Sequence, residues 1–244
     1  MTQPYKYPPA VEAIIEVRFA APIERDVIDK VPTKLKSEYP LSVPQQAHAA
    51  HVNFLQRTAT FEESLGHRLS THDQTDIIIV TPLTFTSARL APYLGWEVFG
   101  PRAEKNWKNW KQIAGYHQIQ RIGVRYINRI DIPVLEGVSV HLEDYLKFYP
   151  EYPKDSFPAM TQFAMQMICP LGVDDCNVQL NVLSIPSPLL KHASFLFDLD
   201  IYKDVNVPQN DDEIWSLIKQ IRDQKNRVFE LGVTDKARAL FSHE

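Results

Sequence analysis

Residues 11–20 read VEAIIEVRFA, and their alternation predicts a β-strand with one apolar side and one charged side. Successive side chains of a strand point to opposite faces of its sheet. The apolar side consists of Ala13, Ile15, Val17 and Phe19, and the other side of Glu12, Ile14, Glu16 and Arg18. The two acids and one base on the second side need an explanation from the rest of the chain.

A second strand, HQIQRIGVRYINRIDIP at 117–133, sorts its side chains in the same way. Arg121, Arg125, Arg129 and Asp131 fall on one side of it. Opposite charges that face each other on neighbouring strands attract one another. If the two strands pair at the centre of one sheet, glutamates of the first meet arginines of the second, and their charged sides form one face.

Helical patterns separate these strands from the others. Residues 24–40 and 95–115 repeat apolar side chains at helical spacing, and a closing helix is predicted to begin at Asn210, with Glu213 three places on as in a capping box. The Gln- and Ala-rich stretch 45–50 is interpreted as a loop. The order of elements is therefore strand, helix, several antiparallel strands and long helix, twice over.

This repeated order predicts an α+β fold with an internal duplication. We expect two halves, residues 1–116 and 117–244, packed as one pseudo-symmetric unit. Together they would form a curved antiparallel sheet with helices on one face, similar to TATA-binding-protein-like or helix-grip folds. A likeness of fold does not fix function.

The composition excludes several classes of protein. The chain has 244 residues, 44% of them hydrophobic, and a formal charge of −4. It has no apolar run of membrane-spanning length and no secretory signal, so we expect a cytoplasmic protein with no membrane association. Its scattered basic residues make nucleic-acid binding unlikely. Its two cysteines are too few for a disulfide scaffold.

The charged face has two interpretations, which the sequence leaves open. It is either the solvated side of an antiparallel sheet, or it lines a concavity that binds a ligand. In the second case the arginines would clamp a phosphorylated or nucleotide-like ligand. The candidate ligand-binding residues are Glu12, Glu16, Arg18, Arg121, Arg125 and Arg129.

A second candidate is the stretch FTSARLAPYLGWEVF at 85–99, which is dense in aromatic residues. It is interpreted either as a corner that fastens the long helix to the sheet or as a protein-binding surface formed by Arg89, Tyr93 and Trp96. Phosphate-binding, hydrolase and metalloprotease motifs are missing from the sequence, so it predicts no catalytic residue, no metal site and no cofactor. In the ligand-binding interpretation of the charged face, Glu12 and Glu16 would instead hold a divalent metal ion.

Four stretches resemble an uncharacterised family of proteins of about this length, sporadically distributed among bacteria and archaea. They are PPAVEAIIEVRF at 8–19, FTSARLAPYLGWEVF at 85–99, RIGVRYINRIDIP at 121–133 and KNRVFELGVTDKARALF at 225–241. The resemblance spans nearly the whole chain. It implies a prokaryotic cytosolic protein and no particular activity.

The leading hypothesis is a non-enzymatic binding protein, a protein-interaction module of a prokaryotic accessory or defence-type system. Its expected partner is another protein, and a homo-oligomer is the further expectation. The alternative is an enzyme or sensor for a phosphorylated or nucleotide-like ligand held on the charged face.

Overall fold

The computed structural model describes residues 5–53, 58–134, 140–153, 160 and 162–242, with the backbone alone for 46–53 and 58–65. The first half contains β1 (Ala10–Phe19), α1 (Arg25–Lys34), β2 (Leu41–Asn53), β3 (Thr58–Ser70), β4 (Asp76–Thr81), β5 (Thr84–Leu90) and α2 (Trp96–Ala114). The second contains β6 (Ile119–Pro133), a 3-10 turn at Leu142–Asp144, β7 (Ala164–Pro170), β8 (Cys176–Ile185), β9 (His192–Lys203), α3 (Asp211–Gly232) and α4 (Asp235–Ser242).

The strands form one nine-stranded antiparallel sheet in the order β2-β3-β4-β5-β1-β6-β9-β8-β7. β1 and β6 pair at its centre, as the sequence predicted. In each half the first strand pairs with the last one, and the remaining strands follow outward. The predicted α+β class and antiparallel sheet are confirmed.

The helices pack on the apolar side of this sheet. The predicted apolar side of β1 joins Val124 of β6 and Leu199 of β9 in one continuous hydrophobic cluster with all four helices. Trp107 and Trp110 of α2 stack on Phe19 of β1, which fastens the helix to the sheet. The core therefore lies on one side of the sheet, and we call that side the helical side.

Two local predictions have clear outcomes. The side chain of Asn210 accepts a hydrogen bond from the backbone N–H of Glu213 at 3.0 Å and caps α3, as predicted. The stretch 45–50, expected to be a loop, lies in β2. There the backbone pairing with β3 overrides the weak strand preference of Gln and Ala.

Candidate functional site

The side of the sheet away from the helices carries the predicted charged face, and we call it the open face. No helix of the described residues packs on it. Its central row joins Glu16 of β1 to Gly123 of β6, and Gly123 to Tyr202 of β9. Register therefore places the charged sides of both central strands on one surface, as expected.

Arg121 is the centre of the first ion-pair cluster on this face. Its Nη1 donates to Glu16 Oε1 at 3.0 Å and its Nη2 to Asp200 Oδ2 at 2.7 Å, while its guanidinium lies 4.1 Å from the ring centroid of Tyr202. Arg18 Nε donates to the same Glu16 oxygen at 2.6 Å. The predicted meeting of β1 glutamates with β6 arginines is confirmed by Glu16 and Arg121.

Gly123 makes this geometry possible. A Cβ atom at Gly123 would lie 2.7 Å from Arg121 Nη1 and 3.1 Å from Asp200 Oδ1. A glycine inside a strand is tolerated where another group must approach the backbone closely. The missing side chain lets the guanidinium of Arg121 lie flat over the strand and reach β9.

Arg125 belongs to a second cluster that runs toward β7. It donates from Nε and Nη2 to the two carboxylate oxygens of Asp198 at 2.8 and 2.7 Å. Asn181 donates to Asp198 Oδ2 at 2.9 Å, and Gln166 donates to Asn181 Oδ1 at 2.9 Å. Both oxygens of the buried Asp198 carboxylate accept hydrogen bonds from Arg125. The pair therefore has the forked geometry that a guanidinium group prefers.

Arg129, the third predicted anion clamp, is paired as well. Its Nε donates to Asp131 Oδ2 at 3.0 Å, and Ser194 Oγ donates to Asp131 Oδ1 at 2.5 Å. Each of the three arginines thus meets a carboxylate on its own or a neighbouring strand. The sequence showed these aspartates on the same face, but which of them faces each arginine depends on strand order.

Glu12 is the exception among the predicted residues. Its carboxylate accepts no hydrogen bond from the described residues, and its pKa is raised because burial disfavours the ionised form. The positive charges of Arg125 and Arg68 oppose this rise, and Asp198 adds to it. Arg68, on β3, also forms no hydrogen bond with a described residue, and sequence reasoning had missed it.

The open face is different in the first half. Beside Glu16 lies Thr86 of β5, beside Ile14 lies Ala88, and Ala88 faces Ile77 of β4. The charged and polar side chains therefore lie on β1, β6, β8 and β9, whereas β4 and β5 carry small and apolar groups that are buried, with Ile77 and Ala88 each 3% exposed.

Exposed aliphatic side chains mark the two outer strands of the same face. Val43 on β2 is 56% exposed and Ile168 on β7 is 58% exposed. Register places Val43 opposite Arg68 and Ile168 opposite Gln179, so both belong to the open face. The charged centre thus has an apolar margin on either side.

The aromatic corner, by which we mean the segment that carries Tyr93 and Trp96, lies on the helical side. Tyr93 and Trp96 are half-buried against the core, and Tyr93 shares a hydrogen bond of 2.7 Å between hydroxyls with buried Tyr126 of β6. Arg89 Nη1 donates to Asp76 at 2.9 Å, while Arg89 Nε is buried without a partner. Burial is the main reason why the pKa of Tyr93 is raised. The three predicted partner-binding residues therefore contribute to packing, and Arg89 lies in a largely buried ion pair.

Other site classes find no support in the described part of the chain. No three His, Cys, Asp or Glu side chains gather as a metal ion requires. Among the described helices none is long and apolar enough to cross a membrane. No protein-family model matches the chain, and no curated protein matches it.

Proposed function

We propose that this is a cytoplasmic binding protein that holds a protein partner on the open face of its sheet. The observation that carries the proposal is the combination of internally paired charges at the centre with exposed aliphatic side chains on both outer strands. Such a surface offers apolar contact area and a fixed pattern of charge, which suit a macromolecular partner.

The pairing of the arginines is the first argument. A phosphate group that used Arg121 or Arg125 as a clamp would have to displace Asp200 or Asp198, each held at 2.7 Å. Breaking a partly buried pair leaves a desolvated carboxylate without its partner, which is costly. The ion pairs are therefore better suited to order the surface than to capture an anion.

The dimensions of the face are the second argument. Nine strands at the usual spacing span about 40 Å, and six residues along each strand add about 20 Å. This projected area, roughly 800 Å², is of the size that one partner contributes to a standard protein interface, although Ile77 and Ala88 within it are buried. A small ligand would occupy only a fraction of it.

We also propose that the two halves, divided between α2 and β6, arose by duplication and that the sheet is curved like a saddle. The shared pairing order of first and last strands supports the duplication. The burial of Ile77 and Ala88 supports the curvature, because a flat face without a helix on it would leave them exposed. The resemblance to a sporadic prokaryotic family is compatible with an accessory or defence-type system.

The test compares two substitutions on opposite sides of the sheet. Tagged wild type, Val43→Glu with Ile168→Glu, and Val98→Glu would be isolated gently from the native host and analysed by native mass spectrometry. Val98 is an exposed aliphatic residue on α2, so it serves as the matched control. We expect a stoichiometric second protein with wild type and Val98→Glu, and its loss from the double variant. Retention by the double variant would contradict the proposal, and a mass of two identical chains would indicate a homo-oligomer instead.

Glu12, Arg68 and Arg125 favour a second candidate function, the binding of a phosphorylated or nucleotide-like ligand by an enzyme or sensor. Arg68 has no carboxylate partner among the described residues, so it is available to an anion. The same mass spectra would show a small bound mass. Arg68→Gln should remove it, and Arg18→Gln should not, because Arg18 is already paired with Glu16.

A further inference from the structure

Lys225 of α3 is a buried cation that has no counter-ion among the described residues. Its side chain lies on the helical side, the residue is 8% exposed, and its Nζ is 3.7 Å from the ring centroid of Tyr126. This ammonium donates no hydrogen bond to a described residue. Buried charges in proteins are normally paired, so an unpaired one marks a site where a partner is missing.

The surroundings of Lys225 are positive and aromatic. Arg222, one turn earlier on α3, lies over the ring of Trp96 at 5.6 Å and donates from Nη1 to the exposed carboxylate of Asp223 at 2.8 Å, which leaves Nε and Nη2 for a ligand. The loop before α2 contributes Tyr93, and β6 contributes Tyr126, whose hydroxyls bond to each other. Glu230 is the acid whose field reaches Lys225, but its oxygens bond to Tyr5 and Arg238. Glu97 acts on Tyr93 rather than on the lysine.

This environment changes the protonation of the amine. Burial first and the charge of Arg222 second lower the pKa of Lys225 to about 7, while Glu230 opposes the change. At neutral pH the amine is therefore about half protonated. An anion placed beside it would draw a proton onto the nitrogen, because an opposite charge favours the charged form.

The cluster is accessible from one side. Tyr93, Trp96 and Arg222 are half-buried, so they reach solvent. Among the described residues, Arg89 Nε and Trp215 Nε1 are inaccessible to solvent and form no hydrogen bond. Lys225 Nζ does not belong to this group. The amine of Lys225 is therefore not completely sealed, and the half-buried side chains of Tyr93, Trp96 and Arg222 lie between the core and solvent.

We propose that Lys225 and Arg222, with the hydroxyl of Tyr93, form a binding site for the carboxylate of a small acid whose apolar part packs on the half-buried rings of Trp96 and Tyr93. The ammonium and guanidinium supply charge-assisted hydrogen bonds to the two carboxylate oxygens. The aromatic rings supply the apolar contact typical of small-molecule sites. This site lies on the side of the sheet opposite the open face and is independent of the proposed partner surface.

Benzoate is a suitable probe, with benzamide as its uncharged counterpart. Calorimetry at pH 8 in two cationic buffers of different ionisation enthalpy would measure both affinity and proton uptake. We expect benzoate to bind with uptake approaching one proton, and benzamide not to bind. Lys225→Met should weaken benzoate binding by about tenfold or more, the usual effect of one charge-assisted contact. Lys219→Met, an exposed change on the same helix, should leave it unaltered.

A measurement on the wild type keeps the proposal testable if a variant folds poorly. The Lys225 side-chain NMR signal, titrated with and without benzoate, should show its midpoint move to higher pH when benzoate is present. An unmoved midpoint, equal binding of benzamide, or unchanged affinity in a folded Lys225→Met protein would each overturn the proposal.

Discussion

Arg121 on the open face and Lys225 on the helical side are buried to a similar degree, yet only Arg121 is paired with acids. Arg121, with 10% of its side chain exposed, lies between the carboxylates of Glu16 and Asp200. Lys225 faces a ring, and its nearest charged neighbour on α3 is Arg222. The difference shows that the charge of Arg121 is balanced by acids of neighbouring strands, whereas Lys225 has no acid bonded to it among the described residues.

Local geometry explains why the two regions differ. Across an antiparallel sheet, three neighbouring strands bring side chains of β1, β6 and β9 together, so one arginine meets acids from both sides. On a helix the residues three places apart are neighbours, and here both are cationic. Their repulsion lowers the pKa of Lys225 in addition to the effect of burial.

Arg121→Met should have the largest effect, a loss of about 3 kcal/mol in the free energy of unfolding, because it leaves two carboxylates without their cation. Burial raises the pKa of Asp200, and Arg121 opposes that rise. An acid whose pKa is raised in the folded state destabilises the fold increasingly as pH rises from its pKa in the unfolded chain through its pKa in the folded chain. Without Arg121 the rise is larger, so the loss should be greater at pH 7 than at pH 4. Urea unfolding at both pH values measures it, and an equal loss would contradict the ion-pair explanation.

Asp198→Ala should cost somewhat less, about 2 kcal/mol, because Arg125 is partly exposed and water can hydrate it after the change. Asp198 also raises the pKa of Glu12. The substitution should therefore lower the pKa of Glu12, which carboxyl NMR would detect. A double variant with Arg125→Met gives the coupling free energy of the pair. A coupling near zero would show that the two side chains do not act together.

Lys225→Met should have the opposite effect on stability. It should raise the free energy of unfolding by about 2 kcal/mol at pH 6, because it removes a buried charge without a partner. The pKa of Lys225 is lowered from 10.5 to about 7, so in this interval the unfolded chain binds the proton and the folded one does not. The penalty is therefore fully present below pH 7 and disappears as pH rises toward 10.5. The stabilisation by methionine should decrease over the same range in urea titrations. Destabilisation at pH 6 would mean that the contact with Tyr126 outweighs burial.

The centre of the fold could be predicted from the sequence because strands 11–20 and 117–133 have clear alternation. Their charges also indicated the pairing that Glu16 and Arg121 confirm. The partners on β9 could not be assigned, since Asp198 and Asp200 face β6 only in the observed strand order. Arg68 was missed for the same reason: two strands lie between it and Glu12.

Lys225 was missed although the sequence contained its signal. The apolar stripe of α3 includes Ile221 and Phe229, and Lys225 lies four residues from each, at a position that faces the core. A lysine at a core position of a helix indicates that its amine is buried. What surrounds it could not be predicted, because Tyr126 reaches it from β6, and Tyr93 of the other half bonds to Tyr126.

Arg18→Ala should have the smallest effect, below about 0.5 kcal/mol, although Arg18 and Arg121 bind the same oxygen of Glu16. Arg18 is 51% exposed, so water replaces its contact, and Arg121 keeps Glu16 paired. Unfolding at low and high salt would measure the difference, which salt should reduce further. A loss as large as that of Arg121→Met would mean that the number of bonds to Glu16 matters and the burial of the cation does not. A small loss would show that enclosure between two strands makes the charge of Arg121 important.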